Sequence, residues 1–153
     1  DGMGTTIVVA VIIGSELLVA NVGDSRAYLY RNFQIKQLTE DHTLVQELVK
    51  SGEITEEEAK KHPQRNIVTQ SLGITLNVQI DFVRVTLKNE DTILLCSDGL
   101  SNMIGDQYIK EILGNYSDVN TQAQKAVLAA NEAGGRDNIT VAIAKYLVRE
   151  EVA

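Results

Sequence analysis

Cysteine, proline and tryptophan are nearly missing from this chain, which has one Cys, one Pro and no Trp among 153 residues. The single cysteine, Cys96, excludes a disulfide within the chain and favours a cytoplasmic setting. Because Cys96 stands in an apolar run, we interpret it as a small core residue in preference to a reactive thiol. A chain of this length fits one domain that can bury a core.

Long apolar runs and an excess of positive charge are absent as well. No apolar run reaches the roughly 18 residues of a membrane span. The longest, residues 7–13, has the length of a strand, and no charged segment precedes it as in a signal peptide. The net charge of −7 argues against nucleic acid, because phosphate binding needs a basic surface. We therefore expect neither a membrane nor a nucleic-acid partner.

The hydrophobic pattern indicates strands first, then a charged helical segment, then further strands and helices. Strands are predicted over residues 5–13, 17–22, 27–31, 33–38, 78–87, 92–97 and 139–148. Helices are predicted over residues 41–50, 106–113 and 121–133, with a short helix between Thr55 and Pro63 that begins with a capping box. This order is typical of an α+β domain, here a single one spanning residues 1–153.

Several details of this pattern are specific enough to check. Strands that are apolar at every position are expected to be covered on both faces. Residues 14–15 and 31–32 are expected to form turns, and Asp41 is a candidate N-cap with His42 in the first helical turn. The core side of the strand over 78–87 is assigned to Ile80, Phe82, Val83, Val85 and Leu87.

Four acidic clusters fall at strand ends, around Asp24, Asp41, Asp98 and Asp137. Each alone has a structural interpretation, since aspartate is common in turns and helix caps. Together they are harder to explain as turns, because a carboxylate beside a buried strand is costly unless something pairs with it. Asp98 and Asp137 suggest one shared cation, and oxygen ligands suit Mg²⁺ or Mn²⁺.

Other site chemistries have little support in this sequence. His42 and His62 are the only histidines, and no Cys/His spacing suits zinc. Ser25, Ser97 and Ser101 lack an obvious base, and no glycine-rich segment has the lysine of a phosphate-binding loop. A carboxylate-bound metal that activates water remains as the best-supported chemistry.

Six motifs occur in one order along the chain, in residues 2–6, 21–27, 38–42, 62–66, 96–100 and 135–140. In this order they closely resemble the bacterial branch of the metal-dependent PPM (PP2C-type) serine/threonine protein phosphatases. The resemblance covers essentially the whole chain. It implies a β-sandwich flanked by helices in α-β-β-α order.

The resemblance also implies a site and a reaction. Two Mn²⁺ or Mg²⁺ ions bridged by a water would lie at the centre, and that water would attack phosphoserine or phosphothreonine in proteins. Asp98 and Asp137 would bind one of these ions, Asp24 together with Asp98 would bind a third, weaker ion, and Asn138 would support the site. Residues 43–66 resemble the family's flap, which influences substrate access. A serine/threonine kinase is an expected partner.

The sequence departs from the family pattern at its start. It matches the C-terminal two-thirds of the domain, without the preceding arginine that grips phosphate and the Asp-Gly-x-Gly-Gly-His motif. Thr5 and Thr6 stand where that motif has Gly-His, so we do not expect Asp1 to be its bridging ligand. We expect weak metal binding, little catalysis by this chain alone, and self-association through exposed sheet edges.

Two other interpretations remain open. One is a non-catalytic PPM-like module that binds phosphoproteins or a regulatory partner, although such a module need not retain Asp98 and Asp137. The other is a phosphatase whose activity requires assembly with a second chain.

Overall fold

Two antiparallel sheets and five helices make up the computed structural model, which describes residues 2–74 and 77–148. The strands are β1 (Ile7–Ile13), β2 (Glu16–Val22), β3 (Arg26–Arg31), β4 (Gln34–Gln37), β5 (Asp81–Thr86), β6 (Thr92–Cys96) and β7 (Val141–Lys145). The helices are α1 (Leu44–Ser51), α2 (Glu56–Lys61), α3 (Asp98–Ser101), α4 (Asp106–Asn115) and α5 (Val119–Glu132). The predicted α+β class is confirmed.

The described residues form three layers. The first sheet has the order β1-β2-β5 and the second has the order β4-β3-β6-β7. Between the sheets lies an apolar cluster that includes Leu17, Val19, Leu29 and Ile93. A second cluster, around the fully buried Tyr28, joins the other face of the second sheet to α3, α4 and α5. Strand alternation explains this division, because successive side chains point to opposite faces.

The outer face of the first sheet is exposed in the described residues. It carries the alternate side chains Ile7, Val9, Val11, Ile13, Leu18 and Phe82. The expectation that the uniformly apolar strands are covered on both faces is therefore wrong for β1. On β5, Val83 and Val85 pack inward as predicted, but the assignment of Phe82 to the core is wrong, since its side chain is 76% exposed. Ile80, just before β5, is also exposed.

The first helix begins later than predicted. Its N-cap is Thr43, whose Oγ1 accepts a hydrogen bond from the Gln46 N–H at 3.4 Å. The assignments of Asp41 as N-cap and of His42 to the first turn are wrong, because the Asp41 carboxylate is held by Arg26 at 2.6 Å. The capping box of α2 is confirmed, with reciprocal hydrogen bonds between Thr55 and Glu58.

The turn between β3 and β4 is displaced by one residue from its predicted position. Asn32 and Phe33 occupy it with φ angles of 50° and 61°, while Arg31 remains in the ladder opposite Gln34. Positive φ at both central residues is the requirement of the two-residue hairpin turn that matches strand twist. Within the described residues, no helix is long and apolar enough to cross a membrane.

Candidate metal centre

The register of the second sheet brings three acidic loops to one end of the molecule. Arg26, at the start of β3, pairs with Cys96 at the end of β6, and Cys96 pairs with Val141 at the start of β7. Asp24 lies in the turn before β3, Asp98 is the first residue of α3 after β6, and Asp137 precedes β7. The three predicted ligands are therefore placed on loops that share one sheet end.

The loops that carry Asp98 and Asp137 are in direct backbone contact. A Cβ atom at Gly99 would lie only 2.2 Å from the carbonyl oxygen of Asn138, so only glycine fits there. Ser97 joins the same loops, because its Oγ donates to the Asn138 carbonyl at 3.1 Å and accepts from the Thr140 N–H at 3.0 Å. This contact sets the separation of the two acidic loops.

Local hydrogen bonds orient the two carboxylates. The Asn102 side-chain amide, one helical turn beyond Asp98, donates to Asp98 Oδ2 at 3.2 Å. The Asn138 backbone N–H donates to Asp137 Oδ1 at 2.7 Å. The predicted supporting residue Asn138 thus contacts Asp137 through its backbone, and its carbonyl forms the close contact with Gly99.

The electrostatics of this cluster are unfavourable for several negative charges. Burial raises the pKa of Asp24 to about 6, and the neighbouring charge of Asp98 adds to the effect. Burial and then the charge of Asp137 raise the pKa of Asp98 as well. The charge of Asp41 also raises the pKa values of Asp24 and Asp98. A group of carboxylates that resist ionisation marks a place where a cation would be stabilising.

The donor chemistry fits a divalent cation, but the number of ligands is small. Within residues 2–74 and 77–148, no lysine, arginine or histidine forms an ion pair with Asp24, Asp98 or Asp137. Hard carboxylate oxygens without a cationic partner suit Mg²⁺ or Mn²⁺. In the same part of the chain, no three His, Cys, Asp or Glu side chains lie close enough to hold one ion. The described residues therefore provide only part of a coordination shell.

Asp41 has a different role from the other three aspartates. Arg26 grips it with Nε at 2.9 Å from Oδ1 and Nη2 at 2.6 Å from Oδ2, and Gln37 donates to Oδ1 at 3.1 Å. Arg26 Nη1 also donates to the Tyr28 hydroxyl, which in turn donates to Asp106 at 3.0 Å. The sequence interpretation missed this network. The only available signal was the placement of Arg26 two residues after Asp24.

The predicted structural role of Cys96 agrees with its surroundings. The side chain is 3% exposed in the core beneath α3 to α5, and burial raises the pKa of its thiol to about 12. A thiol that stays protonated at neutral pH is a poor nucleophile and a poor metal ligand.

We predict that Asp24 makes the metal-free chain less stable as the pH rises. Its pKa increases from 3.8 to about 6 on folding, so the folded state binds the extra proton between these values. The free-energy penalty for ionising Asp24 in the folded chain is absent below the unfolded pKa of 3.8. It grows between 3.8 and about 6, and it is complete above the folded pKa of about 6. The difference in urea midpoint between Asp24→Asn and the native chain should therefore increase in favour of the variant over this range. A difference that stays constant with pH would contradict the prediction.

Comparison with known proteins finds related phosphatases. The family model for protein phosphatase 2C matches residues 1–48. The serine/threonine phosphatase stp of Listeria monocytogenes is 47% identical over 141 residues, which cover 92% of this chain and 56% of that protein. The protein phosphatase PhpP of Streptococcus pneumoniae is 48% identical over 142 residues, which cover 93% of this chain and 58% of that protein. The chain thus spans a little over half the length of these relatives.

Solved structures agree with the sequence relatives. The serine/threonine phosphatase of S. agalactiae superposes with a TM-score of 0.91 at 42% identity, over 97% of this chain and 61% of that one. The catalytic domain of the serine/threonine protein phosphatase PstP, in complex with two manganese ions, superposes with a TM-score of 0.86 at 36% identity. The match covers 96% of this chain and 60% of that one. The fold is therefore that of the bacterial serine/threonine phosphatases. The chain belongs to the protein phosphatase 2C family and spans part of the family's domain.

Proposed function

We propose that the protein hydrolyses phosphoserine and phosphothreonine in other proteins in a divalent-metal-dependent reaction. The observation that carries the proposal is the position of Asp98, which lies in the field of other carboxylates and lacks a cationic partner among the described residues. Two relatives with a little over half their length matched are named serine/threonine phosphatase stp and protein phosphatase PhpP. A structural neighbour is in complex with two manganese ions. These likenesses support the same reaction here.

In this proposal Asp98 and Asp137 hold one Mn²⁺ or Mg²⁺ ion, and Asp24 with Asp98 holds a weaker one. Bound ions would supply charge compensation for the phosphate and lower the pKa of a coordinated water. The chain's own contribution is orientation: Asn102 fixes the Asp98 carboxylate, and the Gly99–Asn138 contact fixes the distance between the two acidic loops. Asn138 supports Asp137 through its backbone N–H.

The segment 43–66 is proposed to act as a flap beside this site. It contains α1 and α2. No side chain of α2 is buried, and the helix has Glu56, Glu57 and Glu58 in its first turn and Lys60 and Lys61 in its last turn. A charged helix that buries no side chain gains little from the core, so it can move at low cost. The proposed setting is the cytoplasm, and the proposed substrates are phosphoproteins that include a serine/threonine kinase.

The direct test is hydrolysis of p-nitrophenyl phosphate with and without millimolar Mn²⁺. Because the described residues hold no complete group of three ligands, we expect turnover by the 153-residue chain to be far slower than that of the stp phosphatase, used as a positive control. Any turnover should require Mn²⁺ and disappear with a chelator. Absence of both turnover and Mn²⁺ binding at Asp98 would remove the basis of the proposal.

A second candidate function is a non-catalytic module that binds a phosphoprotein or regulatory partner. The observation behind it is the small number of ligands among the described residues. Mn²⁺ separates the two, because a binding module should recognise a phosphoserine peptide equally well with and without the metal. Metal-dependent turnover would exclude this function.

The exposed outer face of the first sheet supports a proposal of self-association. Edge strand β1 carries no charged side chain, and Ile13 on this face is 64% exposed. Long apolar edge strands pair readily with other chains. We expect the mass in sedimentation to rise with protein concentration. A monomer mass at every concentration would contradict this.

A further inference from the structure

The backbone of Gly23, the residue before the predicted ligand Asp24, is hydrogen-bonded to His42 through both its N–H and its carbonyl. The Gly23 N–H donates to His42 Nδ1 at 3.2 Å. The Gly23 carbonyl accepts from the His42 N–H at 2.9 Å and from the Asn21 side-chain amide at 3.2 Å. Gly23 has φ of 104°, and a Cβ atom there would lie 2.3 Å from Cγ2 of Thr6. The turn is therefore closely packed against Thr6, and the His42 ring supplies the acceptor for the Gly23 N–H.

The imidazole of His42 is hydrogen-bonded to the carboxylate of Asp81, which belongs to the first sheet. Because Nδ1 accepts the Gly23 N–H, the neutral ring carries its proton on Nε2, which donates to Asp81 Oδ2 at 3.0 Å. The His42 side chain is only 11% exposed. Asp81 is the first residue of β5, so the first sheet selects the tautomer that the Gly23 turn of the site requires.

We propose that His42 and Asp81 form a positioning pair that holds the Gly23–Asp24 turn in its orientation toward Asp98. The hydrogen-bond part of this inference stands on geometry alone, and its consequence for metal binding rests on the proposed function. The pair acts as an outer-shell partner of a ligand, a kind of residue whose loss typically weakens metal binding by about 10- to 100-fold. It gives His42, which is not part of α1, a specific role.

Two substitutions of His42 separate positioning from simple packing. The Oδ1 of asparagine takes the place of imidazole Nδ1, so His42→Asn keeps an acceptor for the Gly23 N–H and loses the reach to Asp81. His42→Gln reaches toward Asp81 and leaves the Gly23 N–H without an acceptor. Both remove the ring, so both should lower the melting temperature. His62→Gln is the matched control, because His62 Nδ1 also accepts a backbone N–H, that of Gln64 at 3.1 Å, outside the site.

Amide exchange and nitrogen chemical shifts, measured by NMR on the 153-residue chain without metal, test the geometry. We expect the native ring to be protonated on Nε2, and Gly23 exchange to become at least about 10-fold faster in His42→Gln. Exchange should stay close to native in His42→Asn and in His62→Gln. A ring protonated on Nδ1, or equal exchange at Gly23 in the two His42 variants, would overturn the proposal.

Titration with Mn²⁺ then tests the consequence for the site. In the native chain, Mn²⁺ should broaden the resonances of Asp24, Asp98 and Asp137. In His42→Gln, broadening at Asp24 should need about 10-fold more Mn²⁺, while Asp137 responds as in the native chain. An unchanged response at Asp24 would overturn the positioning role toward metal. If Mn²⁺ broadens none of these three resonances in the native chain, the proposed function fails. The amide-exchange experiment would still show whether His42 and Asp81 position the Gly23–Asp24 turn.

Discussion

Replacing Asp98 by asparagine is expected to weaken Mn²⁺ binding by at least about 100-fold, the upper end of what loss of an outer-shell partner costs. Asp98 is the carboxylate shared by both proposed ions, so its charge matters to each. Asparagine keeps the shape and can still accept the hydrogen bond from Asn102. Any Mn²⁺-dependent hydrolysis of p-nitrophenyl phosphate should disappear with the binding, which calorimetry or paramagnetic broadening can follow.

The same substitution should stabilise the metal-free chain. Burial and the charge of Asp137 raise the pKa of Asp98, so ionising Asp98 at neutral pH costs folding free energy that asparagine avoids. We expect a higher urea midpoint at neutral pH, as for other sites where function opposes stability. The diagnostic result is that Asp98→Asn weakens Mn²⁺ binding and stabilises the metal-free chain.

Asp118→Asn is the matched control for this experiment. Asp118 caps α5 by accepting the Thr121 N–H at 2.7 Å, and asparagine is an equally good N-cap. The control should leave both Mn²⁺ binding and stability unchanged. Native-like Mn²⁺ affinity in Asp98→Asn would mean that Asp98 is not a ligand, and the leading assignment would then be lost.

The second large effect is expected from Arg26→Met, which should lower the free energy of unfolding by about 3 kcal/mol. This is the low end of what a buried pair costs when one partner is lost, because Arg26 and Asp41 are 23% and 15% exposed. Burial alone would lower the pKa of Arg26, but the hydrogen bonds and charge of Asp41 raise it above its usual range. Without the guanidinium, the Asp41 carboxylate keeps only the bond from Gln37, and the buried Tyr28 hydroxyl loses one contact.

Arg84→Met provides the comparison for Arg26→Met. Arg84 also pairs with a carboxylate, Glu16, at 2.7 Å, but its side chain is 72% exposed whereas that of Arg26 is 23% exposed. Exposed ion pairs contribute less than about 1 kcal/mol. Urea denaturation of both variants measures the difference. Equal losses would show that the Arg26 network contributes no more than a surface pair.

Most helices and strands could be predicted because their signals are local. The apolar run of β1, the capping box at Thr55 and the glycines after α5 each identify an element without reference to the rest of the chain. Errors arose where a distant partner competed. Aspartate is a common N-cap residue, but the Asp41 carboxylate is bound by Arg26, fifteen residues earlier, and Thr43 caps α1 instead.

Part of the candidate site could also be predicted from the sequence. Asp24, Asp98 and Asp137 were identified as acidic residues at strand ends, and the structure brings their three loops to one end of the second sheet. Their role as ligands is still a prediction, since no three such side chains in the described residues lie close enough to hold one ion. The partners Asn102, Arg26 and His42 were not assigned to the site, because each acts through contacts that no local pattern encodes.

The α+β class, the family resemblance and the acidic residues follow from the sequence alone, because periodicity and motif order can be recognised without knowledge of the fold. Which face of β1 and of β5 is covered depends on the packing of the two sheets, as the exposed Phe82 shows. The tertiary structure also decided that Gly99 must approach the Asn138 carbonyl and that Asp81 sets the tautomer of His42. These are contacts between residues 39 positions apart in both cases, and they depend on sheet register, which chain-local signals do not specify.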